Sequence, residues 1–217
     1  MSDIFQEVDE ELRRERLREI WARYGNLIVA AACLIVLGVG GWRGYEWWEA
    51  KKAAENGARF EAAMALAKDN KAADAQAAFS QIAADGASGY RMLARLQEAA
   101  GVAKTDSAGA VKIYDTIIAD GGATAVIQDL ARVRAGLLLA DTASLADLRT
   151  RLEGAAGADR AFRHTAREIL AFAAWRAGDS GEARKWSEMI RLDPQTPAAT
   201  RNRIEMLSAL IQPEAKS

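Results

Sequence analysis

The sequence predicts an all-α protein, with a single transmembrane helix followed by an α-solenoid of helical hairpins, and three observations carry that prediction. The 217 residues include 48 alanines, and the three prolines (Pro194, Pro197, Pro213) all lie in the last 24 positions. Positions 1–193 therefore hold no residue that strongly forbids a helix interior. A 19-residue run from Tyr24 to Trp42 carries no charged side chain. Beyond it, a small–aromatic–aliphatic pattern recurs at an offset of 35 residues. Composition also narrows the function. With 29 basic against 30 acidic residues there is no broad field to attract nucleic acid, so no nucleic-acid partner is expected. The single cysteine, Cys33, excludes an intramolecular disulfide and a thiolate metal cage made by this chain alone.

The uncharged run, YGNLIVAAACLIVLGVGGW, would form about 28 Å of helix, close to the ~30 Å of a bilayer's hydrocarbon core. Its eight Leu, Ile and Val residues favour insertion by about 2 to 5 kcal/mol together. Trp21 and Tyr24 precede it and Trp42, Tyr45, Trp47 and Trp48 follow, as amphipathic rings do at membrane interfaces. These six are the expected membrane-interface residues, with membrane lipid as their partner. A buried core helix of this length would need a core on all sides, and a cleaved signal peptide would not carry a 23-residue leader with seven acids. A retained anchor is the preferred reading. Arg13, Arg14, Arg16, Arg18 and Arg23 outweigh Arg43, Lys51 and Lys52, which places the N-terminus in the cytoplasm and the C-terminal part outside it. Gly40 and Gly44 make a small-xxx-small step at the exit, where another helix can approach or the glycines merely tolerate the interface.

Before the span, Ile4, Phe5, Val8, Leu12, Leu17, Ile20 and Trp21 favour one helix face, with the other crowded by charge. A docking helix and a solvated tail both fit this pattern. The expected organisation is an amphipathic cytoplasmic segment at 1–23, a transmembrane helix at 24–42, a repeat domain at 43–212 and a tail at 213–217.

After the span, Gly and Asp clusters cut the chain into helices. We expect them at about 45–68, 72–85, 88–101, 105–119, 123–140, 144–153, 160–177, 180–192 and 197–211. Asp85-Gly86, Asp120-Gly121-Gly122, Gly178-Asp179 and Asp193-Pro194 supply turn chemistry, and Ser88, Thr105 or Asp106, Ser144 and Ser180 can cap the helix that follows. Ala75, Phe79 and Ile82 recur as Ala110, Tyr114 and Ile117, and again as Ala183, Trp186 and Ile190 with the aromatic one place early. The copy at Leu145, Leu148 and Leu152 lacks the aromatic. A small residue lets paired helices approach and the aromatic fills the groove, so the period marks stacked hairpins sharing one interior.

The stretch AFAAWRAGDSGEARKWSEMIRLDP, residues 171–194, resembles a tetratricopeptide repeat, with Gly178-Asp179, Ala183 and Leu192-Asp193-Pro194 where such a repeat has them. An acidic, arginine-rich leader (VDEELRRERLREIWARYGN), one span and degenerate repeats together resemble the YfgM-like family of ancillary SecYEG translocon subunits. That resemblance implies a bacterial inner-membrane protein with periplasmic repeats, binding the SecYEG translocon or periplasmic chaperones and their clients. Period and composition alone imply none of these partners.

No H-E-x-x-H, Walker loop, C-x-x-C or G-x-S-x-G motif occurs. His164, the only histidine, has Glu168 one turn on, which is an incomplete metal site and an undirected acid–base pair. No catalytic residue, metal, cofactor or small-molecule substrate is expected. The expectation is a tethered scaffold whose concave face, lined by the first helix of each pair, binds protein segments. Arg91, Arg95, Gln128, Arg132, Arg167 and Arg176 are the candidate lining residues, against the plainer reading that they are ordinary solvated positions. The alternative function is a structural subunit of another inner-membrane complex, held mainly by its span and leader.

Overall fold

The computed structural model describes residues 3–211, excluding the side chains of 3–17, 19, 20, 28 and 32. The apolar face expected within residues 1–17 and the tail at 213–217 lie outside the described residues. The helices are α1 (Asp3–Lys68), α2 (Ala72–Asp85), α3 (Ser88–Val102), α4 (Ser107–Ala119), α5 (Ala125–Leu139), α6 (Leu145–Leu152), α7 (Arg163–Arg176), α8 (Ser180–Leu192) and α9 (Ala198–Leu210). A 3-10 turn, Glu153–Ala156, follows α6. No strand occurs among the described residues, and the fold is all-α.

The chain divides into two units, Met1–Glu55 and Asn56–Ser217. Residues 43–55, expected to open the repeat domain, group with the span. The first unit is one helix, long and apolar enough to cross a membrane. No break separates 24–42 from the helix expected at 45–68, because Gly38, Gly40, Gly41 and Gly44 cost helix stability without forbidding it. Leu34, Ile35, Val36 and Leu37 are exposed along it. At its end Lys52 lies 3.9 Å from the Trp48 ring centroid and Lys51 5.6 Å from that of Trp47, with Tyr45 tilted against Trp48.

The second unit stacks helical pairs: the end of α1 with α2, then α3 with α4, α5 with α6, and α7 with α8, followed by α9. We call the first of each pair the leading helix and the second the trailing helix. The repeated pattern is buried in three separate clusters along the stack, where one continuous interior was expected. Ala75, Phe79 and Ile82 are buried on α2, Ala110, Tyr114 and Ile117 on α4, and Ala183, Trp186 and Ile190 on α8. Phe60 of α1 packs between Phe79 and Tyr90, with ring centroids 5.6 and 6.0 Å away. In the copy without an aromatic, Leu148 and Leu152 are fully buried, and Gly136 of α5 draws its backbone onto Leu152. A Cβ at Gly136 would sit 2.9 Å from Leu152 Cδ2, so a missing ring on α6 is balanced by a missing side chain on α5.

Several helix starts follow the expected chemistry and others do not. Asp106 accepts from Gly109 N and Ser144 from Asp147 N. The cap of α8 is Asp179 rather than Ser180, and Thr124, not expected as a cap, accepts from Ile127 N at α5. Ser88 is already helical, and the preceding Ala87 N–H donates instead to Asn56 Oδ1 at 3.3 Å. Gly178 turns α7 into α8 with φ of +78°, a conformation glycine adopts without Cβ strain.

A charge staple recurs once per pair. Arg59 of α1 reaches Asp85 at the end of α2 (2.9 Å), and Arg95 of α3 reaches Asp120 after α4 (2.9 Å). Arg163 and Arg167 of α7 both reach Asp193 after α8, at 2.7 and 3.2 Å. In the α5–α6 pair the signs are exchanged. Asp129 sits on the leading helix and Arg160, beyond the trailing one, donates to it from Nε at 2.7 Å. Asp129 is 1% exposed and takes a second bond from Arg132 at 3.0 Å.

Candidate functional site

A groove of about 490 Å³ opens between α5, α7 and α9. Its apolar surface comes from Leu137, Ile169, Phe172 and Trp175. The alanines of α7 explain why large side chains face outward there. Ala166, Ala171, Ala173 and Ala174 are buried, and the close packing they permit leaves Phe172 and Trp175 on the open side, 38% and 44% exposed. Leu137, on the neighbouring leading helix, is 51% exposed. Among the described residues from Asn56 onward, the exposed large apolar side chains fall on leading helices and α9, with Leu192 the exception.

Most of the groove's charge is spent within the protein. Glu168 of α7 and Arg203 of α9 form a two-bond pair, with Arg203 Nη2 donating to Glu168 Oε2 at 2.9 Å and Nε donating to Oε1. Hydrogen bonding to Glu168, and then its charge, raises the Arg203 pKa above the usual guanidinium value. Arg203 also donates to Thr200 Oγ1 at 3.3 Å. Arg176 Nη2 donates to the Ala143 carbonyl in the loop after α5. What remains is an aromatic-walled trough, with Asp141 and Arg176 also in its lining, that can take up apolar side chains, each worth about 1.5–3 kcal/mol when fully buried.

The six lining candidates fall in separate places, and Arg176 alone among them borders this groove. Arg95 and Gln128 converge on the turn at Asp120, where Gln128 Nε2 donates to the Asp120 carbonyl at 3.1 Å. Arg91 acts on the same carboxylate through its charge. The Asp120 pKa is lowered first by the Gly122 N–H and next by Arg95. Arg132 faces α4 and α6, bordering a cleft with Asp115 and Arg151. Arg167 is 3% exposed and bonded to the Ala156 and Met189 carbonyls as well as Asp193, so it is an internal crosslink. Leu137, Phe172 and Trp175 were not among the candidates, because polarity was the criterion. The available signal was the alanine-rich context of AFAAW, which leaves its two large rings without a buried face to fill.

His164 and Glu168 do not act together. Glu168 is taken by Arg203, whereas His164 Nδ1 shares a hydrogen bond with Thr196 Oγ1 at 3.1 Å and lies 3.9 Å from Asp193. Both side chains are largely shielded from solvent. Burial and then the charge of Arg163 push the His164 pKa below its ordinary value. Among the described residues no three His, Cys, Asp or Glu side chains converge where a metal ion could be held.

Stacked helical pairs with an open trough across their leading helices define a helical-repeat protein of the class that grips other chains. The family described as a tetratricopeptide repeat-like domain matches residues 18–190, and the chain belongs to that family. Domains of this family generally mediate protein–protein interaction. At the significance required, no curated protein and no solved structure matches the chain.

Proposed function

We propose that this protein is a membrane-anchored helical-repeat scaffold that binds protein partners at the cell envelope, accessory to the protein translocon and periplasmic chaperones. The observation that carries the binding role is the trough at Leu137, Phe172 and Trp175. Three large apolar side chains stay in water on one wall of a stack that buries its small ones. The uncharged run with its aromatic flanks supports anchoring, and the arginine bias supports a cytoplasmic N-terminus with periplasmic repeats. The translocon and chaperone assignment rests on the resemblance of leader, span and repeats to YfgM-like subunits. Tethering confines a weak binder near its clients and raises its effective concentration.

Crosslinking the full chain in its own membrane tests the proposal. Trp175→Ala is expected to remove most of the captured protein while leaving the helical circular dichroism spectrum intact, since the ring supports little of the core. Undiminished capture would remove the trough from the reading. A second reading, a structural subunit held by its span, is supported by the small-xxx-small step of Gly40 and Gly44, which lets another helix approach closely. Exchanging residues 24–42 for an unrelated span separates the two: partners retained support the repeats, and partners lost support the span.

A further inference from the structure

The recurring aromatic of the trailing helices takes three forms, and one of them keeps a polar atom to spare. Phe79 of α2 has none, and Trp186 of α8 donates its Nε1–H to Glu182 Oε2 at 3.0 Å. Tyr114 of α4 is 2% exposed, and among the described residues its hydroxyl makes no hydrogen bond. Ser187 Oγ is the sealed side-chain oxygen without a partner among the described residues, so the Tyr114 hydroxyl still reaches solvent and is open to a ligand. The ring is buried with Ala99 of α3 and Ala131 and Ala135 of α5, whose small side chains leave it room to extend between those leading helices. At its tip the charge of Arg134, on α5, bears on the hydroxyl. Burial raises the Tyr114 pKa above its ordinary value and Arg134 opposes, so at neutral pH the hydroxyl keeps its proton and can donate. Arg134 is exposed and, among the described residues, makes no hydrogen bond and no ion pair. Its neighbours one turn away on α5, Leu130, Ala131, Leu137 and Leu138, carry no charge.

An unpaired cation alone would select nothing. Here it stands beside a second unspent donor, and a carboxylate accepts from both, whereas a cation would meet like charge. We infer that Arg134 and the Tyr114 hydroxyl form a carboxylate subsite, which takes an aspartate or glutamate of the protein segment bound in the trough. Arg134 precedes Leu137, on the trough's wall, by three residues, about 4.5 Å along the helix axis. In an extended segment the acid therefore stands one or two positions from the apolar side chain that enters the trough. The inference rests on the scaffold reading and deepens it by naming the chemistry of the bound segment.

The test uses the full chain in detergent and three labelled peptides, identical leucine–serine alternations with glutamate, glutamine or lysine at the centre, followed by fluorescence anisotropy. The glutamate peptide is expected to bind about threefold tighter than the glutamine peptide at low salt, with the lysine peptide weakest. The preference shrinks as salt rises. The chain's formal net charge of -1 gives no general attraction for an acidic peptide, so the ranking reports the subsite. Arg134→Gln should abolish the ranking and Arg134→Glu should reverse it. Tyr114→Phe, a change the first pair already carries as Phe79, should narrow the glutamate preference while the glutamine peptide binds as before. Trp175→Ala should weaken all three peptides alike. Binding with no charge preference, or a preference that Arg134→Glu or Tyr114→Phe leaves untouched, overturns the inference and leaves the scaffold standing. Absence of binding by all three peptides also overturns it, and capture by crosslinking in the membrane then decides the scaffold separately.

Discussion

Asp193 holds more of the C-terminal architecture than any other single carboxylate described. It accepts from Arg163, Arg167 and the Gln195 N–H, while its own carbonyl accepts from Arg201 at the start of α9. Hydrogen bonding from Arg163 leads, and burial opposes, in pulling its pKa far below the usual carboxylate value. His164 beside it is also lowered, by burial first, then Arg163, with Arg167 adding and Asp193 opposing. Both groups therefore bind protons more readily in the unfolded chain, so stability falls on acidification. For His164 the loss starts near its ordinary value of 6.5, and for Asp193 it follows below 3.8. Urea unfolding followed by circular dichroism should show a lower midpoint at about pH 5 than at about pH 7.5, and His164→Gln should flatten that difference. A midpoint that rises in acid would contradict the assignment. Little of this was legible beforehand. Leu192-Asp193-Pro194 reads as a turn, and nothing in the sequence marks arginines 26 and 30 residues earlier as its partners.

Helices, by contrast, were readable almost throughout. Alanine density, late prolines and Asp–Gly punctuation fixed α2 and α8 to their end residues, and the buried triplets Ala75–Phe79–Ile82 and Ala110–Tyr114–Ile117 are the ones their spacing marks. The α5–α6 pair was less legible because it solves the same packing problem with different residues, a glycine for a ring and a staple of exchanged sign. The staples differ in burial, and burial sets their worth. Asp129→Ala is expected to cost about 1.5–3 kcal/mol, because charge-assisted hydrogen bonds to a buried carboxylate are lost while Arg132 and Arg160 keep partial access to water. Arg59→Ala is expected to cost less than about 1 kcal/mol, since that pair is largely in water. Denaturant midpoints of the two variants, measured side by side, check the ordering. Equal losses would mean the buried staple is no stronger than an exposed one.

For the molecule as a whole, the repeat architecture was legible from periodicity, and its exposed apolar wall was not. Periodicity reports which residues are buried, and Trp175 and Phe172 break it by being large and left out. At this scale the prediction concerns the span. The full chain should stay in the membrane pellet through alkaline carbonate, and replacing Leu34, Val36 and Leu37 together with lysines should release it, because each charge at mid-bilayer costs about 2.5–3.5 kcal/mol on insertion. Extraction of the unaltered chain by carbonate would refute anchoring.

The staples carry one more implication, for the order in which the chain assembles. Each joins a leading helix to the end of its own pair, as Arg59 does with Asp85 and Arg95 with Asp120. The ion pairs that cross between pairs run from a later arginine to an earlier acid, Arg151 to Asp115 and Arg203 to Glu168. A polypeptide threaded out from its N-terminus thus closes each latch once the partner 25 to 36 positions downstream has emerged, so the pairs can lock in sequence order.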